Sequence, residues 1–479
     1  MRQTAPATQS RAGFRLGTLV AVTAAAIGVI YGYDTGVVAG ALLFVPKAFH
    51  LSTSETSSIA TAVAVGMIVG ALLASRVADA IGRKRTMVMI AAGYVVFAVL
   101  SGAATDLVFL DAARFLLGVT IGLSVVTAPV FIAESSPPRI RGSLIVSYQA
   151  ATVAGIMSAY FVDYGLASAG AWRWMFVMSA VPAAAVGLLL LRLPDTPRWY
   201  GMRGRWDEAA QTLRRIDPDM DVDGELADIR SALQAERGGS VREMLHPPYL
   251  RATLFVVGLG FLVQITGINA IIYFTPLIFK QLGLTGNASL LLVPGLIQAA
   301  ALLATLAALR IVDRVGRRVV LMAGISAMIV ANALLIAVFA IGLHGASSVL
   351  AFLGILLFTC GFDFGFGALV WIYASESFPA RLRTTGASAM LTADLVGNLL
   401  IAQFFLSVLG DIGGVWTFTM FLVLAAVSFG YVWWLAPETM GRPLDSIRFY
   451  WENGGRWPED TAAGPDGQRA GAQSRGRAA

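Results

Sequence analysis

The sequence predicts an all-α membrane protein of twelve transmembrane helices arranged as two homologous halves. Three observations carry that fold class. The 479 residues are 57% hydrophobic and only 13% charged, with a mean hydropathy of +0.72, whereas a soluble domain carries about 25% charged residues. Twelve apolar runs reach the ~20 residues that a helix needs to cross a bilayer. The chain also repeats itself. Glu134-Ser135-Ser136-Pro137-Pro138-Arg139-Ile140-Arg141 returns 242 residues later as Glu376-Ser377-Phe378-Pro379-Ala380-Arg381-Leu382-Arg383. Asp79…Gly82-Arg83 returns as Asp313…Gly316-Arg317 after 234, and Pro194-Asp195-Thr196 as Pro437-Glu438-Thr439 after 243. Three motif pairs in one order, at nearly one offset, mean a duplication.

The runs cover residues 16–44, 55–78, 86–104, 107–133, 142–167, 171–193, 250–280, 286–310, 319–342, 347–376, 384–409 and 414–436. The first is no cleavable signal, because it exceeds the apolar core of roughly 7–15 residues and carries Tyr31, Tyr33 and Asp34 late in its length. Basic residues alternate with the loops. One side receives Arg2, Arg11, Arg15, Arg76, Arg83, Lys84, Arg85, Arg139, Arg141, segment 194–249, Arg314, Arg317, Arg318, Arg381 and Arg383. The other holds little beyond Lys47, Arg173 and Lys280. Positive charge marks the cytoplasmic side, so both termini are expected there, in a multi-pass protein of the plasma (bacterial inner) membrane.

The expected organisation is a disordered N-terminus (1–13), a first six-helix half (14–193), an intracellular helical linker (194–249), a second half (250–437) and a mostly disordered tail (438–479). Within the linker, Arg205–Ile216 and Gly224–Glu236 read as amphipathic helices, and Ser240 with Glu243 reads as a capping box opening a third. Gly66…Gly70, Gly118…Gly122 and Gly361…Gly365 read as close helix packing within a half.

Composition excludes several classes. The +6 charge is dispersed in short loops, which argues against nucleic acid as a partner. The single cysteine, Cys360, permits no intrachain disulfide, and the three histidines form no metal-ligand spacing. No nucleophile–base pair or phosphate loop is present, so no enzyme and no cofactor is expected. A duplicated polytopic chain with charged motifs at its helix ends is the usual design of a secondary transporter, energised here by an ion gradient.

Nine motifs resemble the sugar porter family of the major facilitator superfamily over about residues 14–450. They are Gly32-Tyr33-Asp34-Thr35-Gly36, Asp79…Gly82-Arg83-Lys84-Arg85, Arg114, Glu134…Arg141, Pro194-Asp195-Thr196-Pro197-Arg198-Trp199, Gln264-Ile265-Thr266-Gly267-Ile268-Asn269, Asp313…Arg318, Glu376…Arg383 and Pro437-Glu438-Thr439-Met440-Gly441-Arg442. The resemblance implies two six-helix bundles around a cavity that opens alternately to each side, as in bacterial sugar–proton symporters. It implies substrate contacts from Gln149, Gln264, Asn269, Tyr31, Tyr273, Phe362, Trp371, Asp394 and Asn398. The partners would be a sugar or polyol, the proton and membrane lipid, with the monomer as the working unit. A uniporter or exporter of a related metabolite, or a non-transporting nutrient sensor, are the alternatives.

Charge inside a bilayer marks function by default. Asp34 lies about 15 Å and Arg114 about 10 Å from the outer ends of their helices at 1.5 Å per residue. Both a static ion pair and a proton site, with Asp34 carrying the proton and Arg114 tuning it, fit that placement. Amides suit sugars because they donate to and accept from hydroxyls. The chain departs from the family at Val263, Ile156, Ala301 (with Gln298 one turn away), Ala368 and the pair Asp394-Leu395, and it adds the intramembrane acid Asp363. Asp79, Arg83, Glu134 and Arg141 in one half and Asp313, Arg317, Glu376 and Arg383 in the other read as a gate. Glu134 would pair with Arg383, and Glu376 with Arg141, across the halves.

Overall fold

The computed structural model describes residues 11–136, 141–217, 220–235, 241–342 and 347–458. Every regular element among them is helical. The long helices are α1 (Arg11–Ala41), α2 (Thr53–Ile81), α3 (Arg83–Gly102), α4 (Leu107–Ser135), α5 (Arg141–Ala167), α6 (Trp172–Leu191), α7 (Leu250–Gln281), α8 (Ala288–Val315), α9 (Arg317–Ile341), α10 (Ser348–Glu376), α11 (Ala380–Asp411) and α12 (Gly413–Leu435). Among the described residues eleven helices are long and apolar enough to cross a membrane; they fall in α2 to α12, and α1 occupies the first apolar run.

Local chemistry sets the helix ends. Gly82 and Gly316 separate α2 from α3 and α8 from α9 at φ of 104° and 106°, conformations that side chains beyond glycine rarely adopt. Ser52 and Glu55 cap α2 reciprocally, with Ser52 N–H donating to Glu55 Oε2 at 2.8 Å. Asp106 caps α4 by accepting from Phe109 N–H at 2.9 Å. Two helices break at mid-length. α7 turns at Gly267 (φ 103°), so that Ile268–Gln281 starts afresh. α10 takes a π-helical turn at Asp363–Gly367, a distortion that often accompanies function.

The duplication in sequence is a duplication in packing. α1 lies along α5, α2 along α4, and α3 against α4 and α6; six positions later α7 lies along α11, α8 along α10, and α9 against α10 and α12. The glycine pairs bring backbones together as expected. A Cβ on Gly66 would strike the Phe115 carbonyl, one on Gly118 the Val63 carbonyl and one on Gly122 the Met67 carbonyl. The halves meet through α5–α8, α2–α11 and α1–α7.

The linker holds the short helices Pro197–Met202, Trp206–Ile216, Val222–Ala235 and Val241–Met244. Its small core is Ala209, Leu213 and Leu226. It touches both halves: Trp199 Nε1 donates to the Asp79 carbonyl at 3.2 Å, and Glu243 pairs with Arg381 at 2.5 Å. Ser240, half of the expected capping box, lies outside the described residues. The segment after 438, expected to be mostly disordered, contains the helix Leu444–Glu452, whose Trp451 stacks on Phe255 of α7 at 5.2 Å. Residues 1–10 and 459–479 lie outside the described residues.

Candidate functional site

The two intramembrane charges predicted to act together are in contact. Arg114 Nη1 donates to Asp34 Oδ1 at 2.7 Å and Nη2 to Oδ2 at 3.3 Å. The side chains are 1% and 2% exposed, so each charge depends on the other for compensation. The guanidinium also lies 5.2 Å from the Phe176 ring centroid, a cation–π distance. Asp34, Arg114, Tyr31, Thr35 and Tyr273 border a very small chamber of about 10 Å³.

Tyr31, Thr35 and Met67 also line a larger cavity, of about 130 Å³, between the halves. Seven of the predicted substrate residues meet there: Tyr31, Gln149, Gln264, Asn269, Phe362, Trp371 and Asp394. The breaks in α7 and α10 lie at this level and deliver Asn269 and Asp363. Two predicted residues do not reach it. Tyr273 faces the small chamber instead, and Asn398 packs beside Tyr273. Tyr148, Thr152, Gln298 and Asp363 join the lining beyond the predicted set. The signal for Gln298 was an amide in an otherwise apolar run; Ile156 lines the cavity where the family places a second amide.

The cavity has one closed end. On the side away from the repeated motifs, Tyr160 Oη on α5 donates to the Ile272 carbonyl on α7 at 2.7 Å, joining the halves. Val37 to Leu43 on α1 and Asn269 to Pro276 on α7 are buried there. At the other end Trp371, five residues before the motif acid Glu376, is 39% exposed. The mouth therefore faces the motif side.

Residues 20–451 match the protein family described as "Sugar (and other) transporter". The chain belongs to the sugar porter family of the major facilitator superfamily. It is a transporter and not an enzyme. It is 31% identical over 441 residues to the galactose–proton symporter of Escherichia coli (strain K12), covering 92% of this chain and 95% of that one. It is 31% identical over 438 residues to the arabinose–proton symporter of the same strain, covering 90% and 93%. The fold matches the xylose transporter XylE from E. coli, in a partially occluded inward-open conformation, with a TM-score of 0.78, 22% identity, and coverage of 90% of this chain and 100% of that one.

The motifs of this sugar porter build two similar clusters. In the first half Asp195, placed against Gly82, accepts from Lys84 N–H at 3.2 Å. In the second, Glu438 is placed against Gly316 and accepts from Arg317 N–H at 2.9 Å and Arg318 N–H at 3.0 Å. The acids of the third motif pair thus cap the starts of α3 and α9, where backbone donors and the helix dipole favour a carboxylate. Asp79 pairs with Arg83 at 2.8 Å and Asp313 with Arg317 at 2.9 Å. Glu134 meets Arg83 of its own half at 3.2 Å, and Arg198 at 3.5 Å and the Thr196 hydroxyl at 2.6 Å at the start of the linker. The expected pair of Glu134 with Arg383 is not made among the described residues. The side chain of Arg141, the expected partner of Glu376, lies outside them. Glu376 Oε2 is buried with no hydrogen-bond partner.

Proposed function

We propose that this sugar porter imports a sugar or sugar-like polyol together with a proton, by alternating access, with Asp34 as proton carrier and Arg114 as its switch. The observation that carries the reading is the enclosed Asp34–Arg114 pair one residue layer from the cavity, separated from it by Tyr31 and Thr35. The curated relatives are named as sugar–proton symporters, which agrees with that chemistry.

When Asp34 is ionised, the pair is compensated. A proton on Asp34 removes the carboxylate charge and leaves a buried guanidinium alone, a state that breaking a buried pair makes costly by about 3–5 kcal/mol. Rearrangement of α1 against α4 relieves that cost, and this is where proton binding bears on the shape of the cavity. Gln149, Gln264, Asn269 and Gln298 offer donors and acceptors to substrate hydroxyls, while Phe362 and Trp371 offer apolar faces to the ring. On the positive-inside rule the motif side would be cytoplasmic, which would make this conformation inward-facing in a bacterial inner membrane, with the monomer as the proposed working unit.

Uptake into proteoliposomes, across labelled sugars, polyols and organic acids, with and without an imposed pH gradient, tests the reading. Accumulation of a sugar or polyol only when the outside is acidic is the expected result. Equilibration without accumulation would make the protein a uniporter, and uptake of organic acids alone would remove the sugar assignment. Gln149→Ala, Gln264→Ala and Asn269→Ala should each weaken binding by roughly 1–3 kcal/mol, since each leaves a hydroxyl unpaired; unchanged affinity in all three would refute the cavity as the sugar site.

A further inference from the structure

Among the described residues the cavity carries two carboxylic acids and no base. Asp363 on the π-helical turn of α10 and Asp394 on α11 both line it, and no arginine, lysine or histidine does. Arg114, in the adjoining chamber, has both terminal nitrogens committed to Asp34. Asp363 is 5% exposed, and no described side chain or backbone group is hydrogen-bonded to it. The acids stand beside the amides assigned to the substrate. A Cβ on Gly367 would lie 3.2 Å from Asp363 Oδ1 and 3.5 Å from Gln149 Nε2, so the two share one small space. Asp394 lies against Gln264. Asn269 and Gln298, 6% and 3% exposed, line the same space with side-chain amides, which can donate to and accept from a ligand's hydroxyls.

An unpaired buried carboxylate is costly unless a charge or several donors compensate it. No described residue supplies that charge at the cavity. Resting on the sugar-transport reading above, we infer that Asp363 and Asp394 form an anionic wall that selects a sugar or polyol bearing a protonated amine, an amino sugar or amino-polyol, over its neutral counterpart. The ammonium would sit between the acids and the hydroxyls would go to the amides. Substrates with their own anion, phosphorylated or carboxylated sugars, would meet like charge in a low-dielectric space and be rejected.

The test uses the full chain in proteoliposomes with four probes: glucosamine, glucose, N-acetylglucosamine and glucose 6-phosphate. Uptake is compared near pH 7, where an amine with a pKa near 7.7 is mostly protonated and an ammonium can compensate the two carboxylates. N-acetylglucosamine keeps the nitrogen and removes the charge, so it separates charge from shape. The wild-type protein should favour glucosamine by ~tenfold or more over both neutral sugars, a difference of ~1.4 kcal/mol, and should not take up the phosphate. Asp363→Asn with Asp394→Asn should bring the ratio near one, whatever it does to the absolute rate. Equal handling of glucosamine and glucose by the wild type would overturn the inference and leave sugar transport standing. A preference that survives in the double variant would overturn the assignment to these acids. Uptake of none of the four, with uptake of organic acids instead, would remove the sugar reading and the inference together.

Discussion

The first half of the molecule neutralises its acids internally, and the second half leaves several of its own open. Asp34 is held by two nitrogens of Arg114. Glu134 has Arg83, Arg198 and the Thr196 hydroxyl. In the second half Asp363 and Asp394 face the cavity with no base, and one oxygen of Glu376 is buried without a partner. The sequence repeat locates one cause. At the repeat's offset, Arg198 corresponds to Gly441, so the second half lacks the arginine that completes the first cluster. Asp163 on α5, fully buried with both oxygens unpartnered, and Asp111 on α4, with one, are exceptions in the first half. Apart from those residues, the first half, with the start of the linker, reads as a frame around the proposed proton switch. The second half presents acids to whatever enters the cavity or closes beneath it.

That contrast can be broken most strongly at Arg114. Arg114→Ala should cost about 3–5 kcal/mol of stability, because it strands a buried carboxylate, and adding Asp34→Asn should restore much of it. Asp363→Asn in the second half removes an acid that has no base partner, so its melting temperature should stay level or rise. Thermal unfolding of the purified variants reads both; a loss for Asp363→Asn equal to that for Arg114→Ala would end the comparison.

A smaller effect separates the motif acids. Glu134→Gln should destabilise this form, open on the motif side, by about 1–3 kcal/mol, since it weakens charge-assisted bonds to two arginines. Glu376→Gln gives up no ion pair here and should change stability little. If Glu376 bonds Arg141 when the motif side closes, Glu376→Gln should shift the population toward inward-facing about tenfold for a contribution of ~1.4 kcal/mol. Spin-label distances between the motif-side ends of α4 and α10 check this, and an unchanged distribution would leave Glu376 as a loop anchor. Tyr160→Phe should show the smallest change. It loses one hydrogen bond across the closed end, about 0.5–1.5 kcal/mol, and should raise labelling of a cysteine placed near Ile272 from the outer side.

The spans were readable because the cost of bare backbone in lipid forces long apolar helices. The Asp34–Arg114 contact was readable because unpaired charge is excluded from the same medium. The facing of individual polar residues was harder. Tyr273 is four residues past Asn269 on the same helix, so it lies one turn further along, level with the small chamber and not the cavity. Gln298 rather than Ala301 lines the cavity. The π-helical turn in α10, invisible in hydropathy, sets where Asp363 points. The motif repeat suggests Arg383 as the partner of Glu134, whereas Arg83, Arg198 and Thr196 hold it here.

Coupling at Asp34 is the central claim, and one substitution isolates it. Asn keeps the shape and hydrogen bonding of Asp34 but cannot titrate. Asp34→Asn protein in proteoliposomes should exchange labelled substrate between preloaded vesicles and medium at a rate comparable to wild type, yet fail to concentrate it under an imposed pH gradient. If the Asp34→Asn protein still accumulates substrate against its gradient, Asp34 is not the proton carrier and the buried pair is only a structural brace.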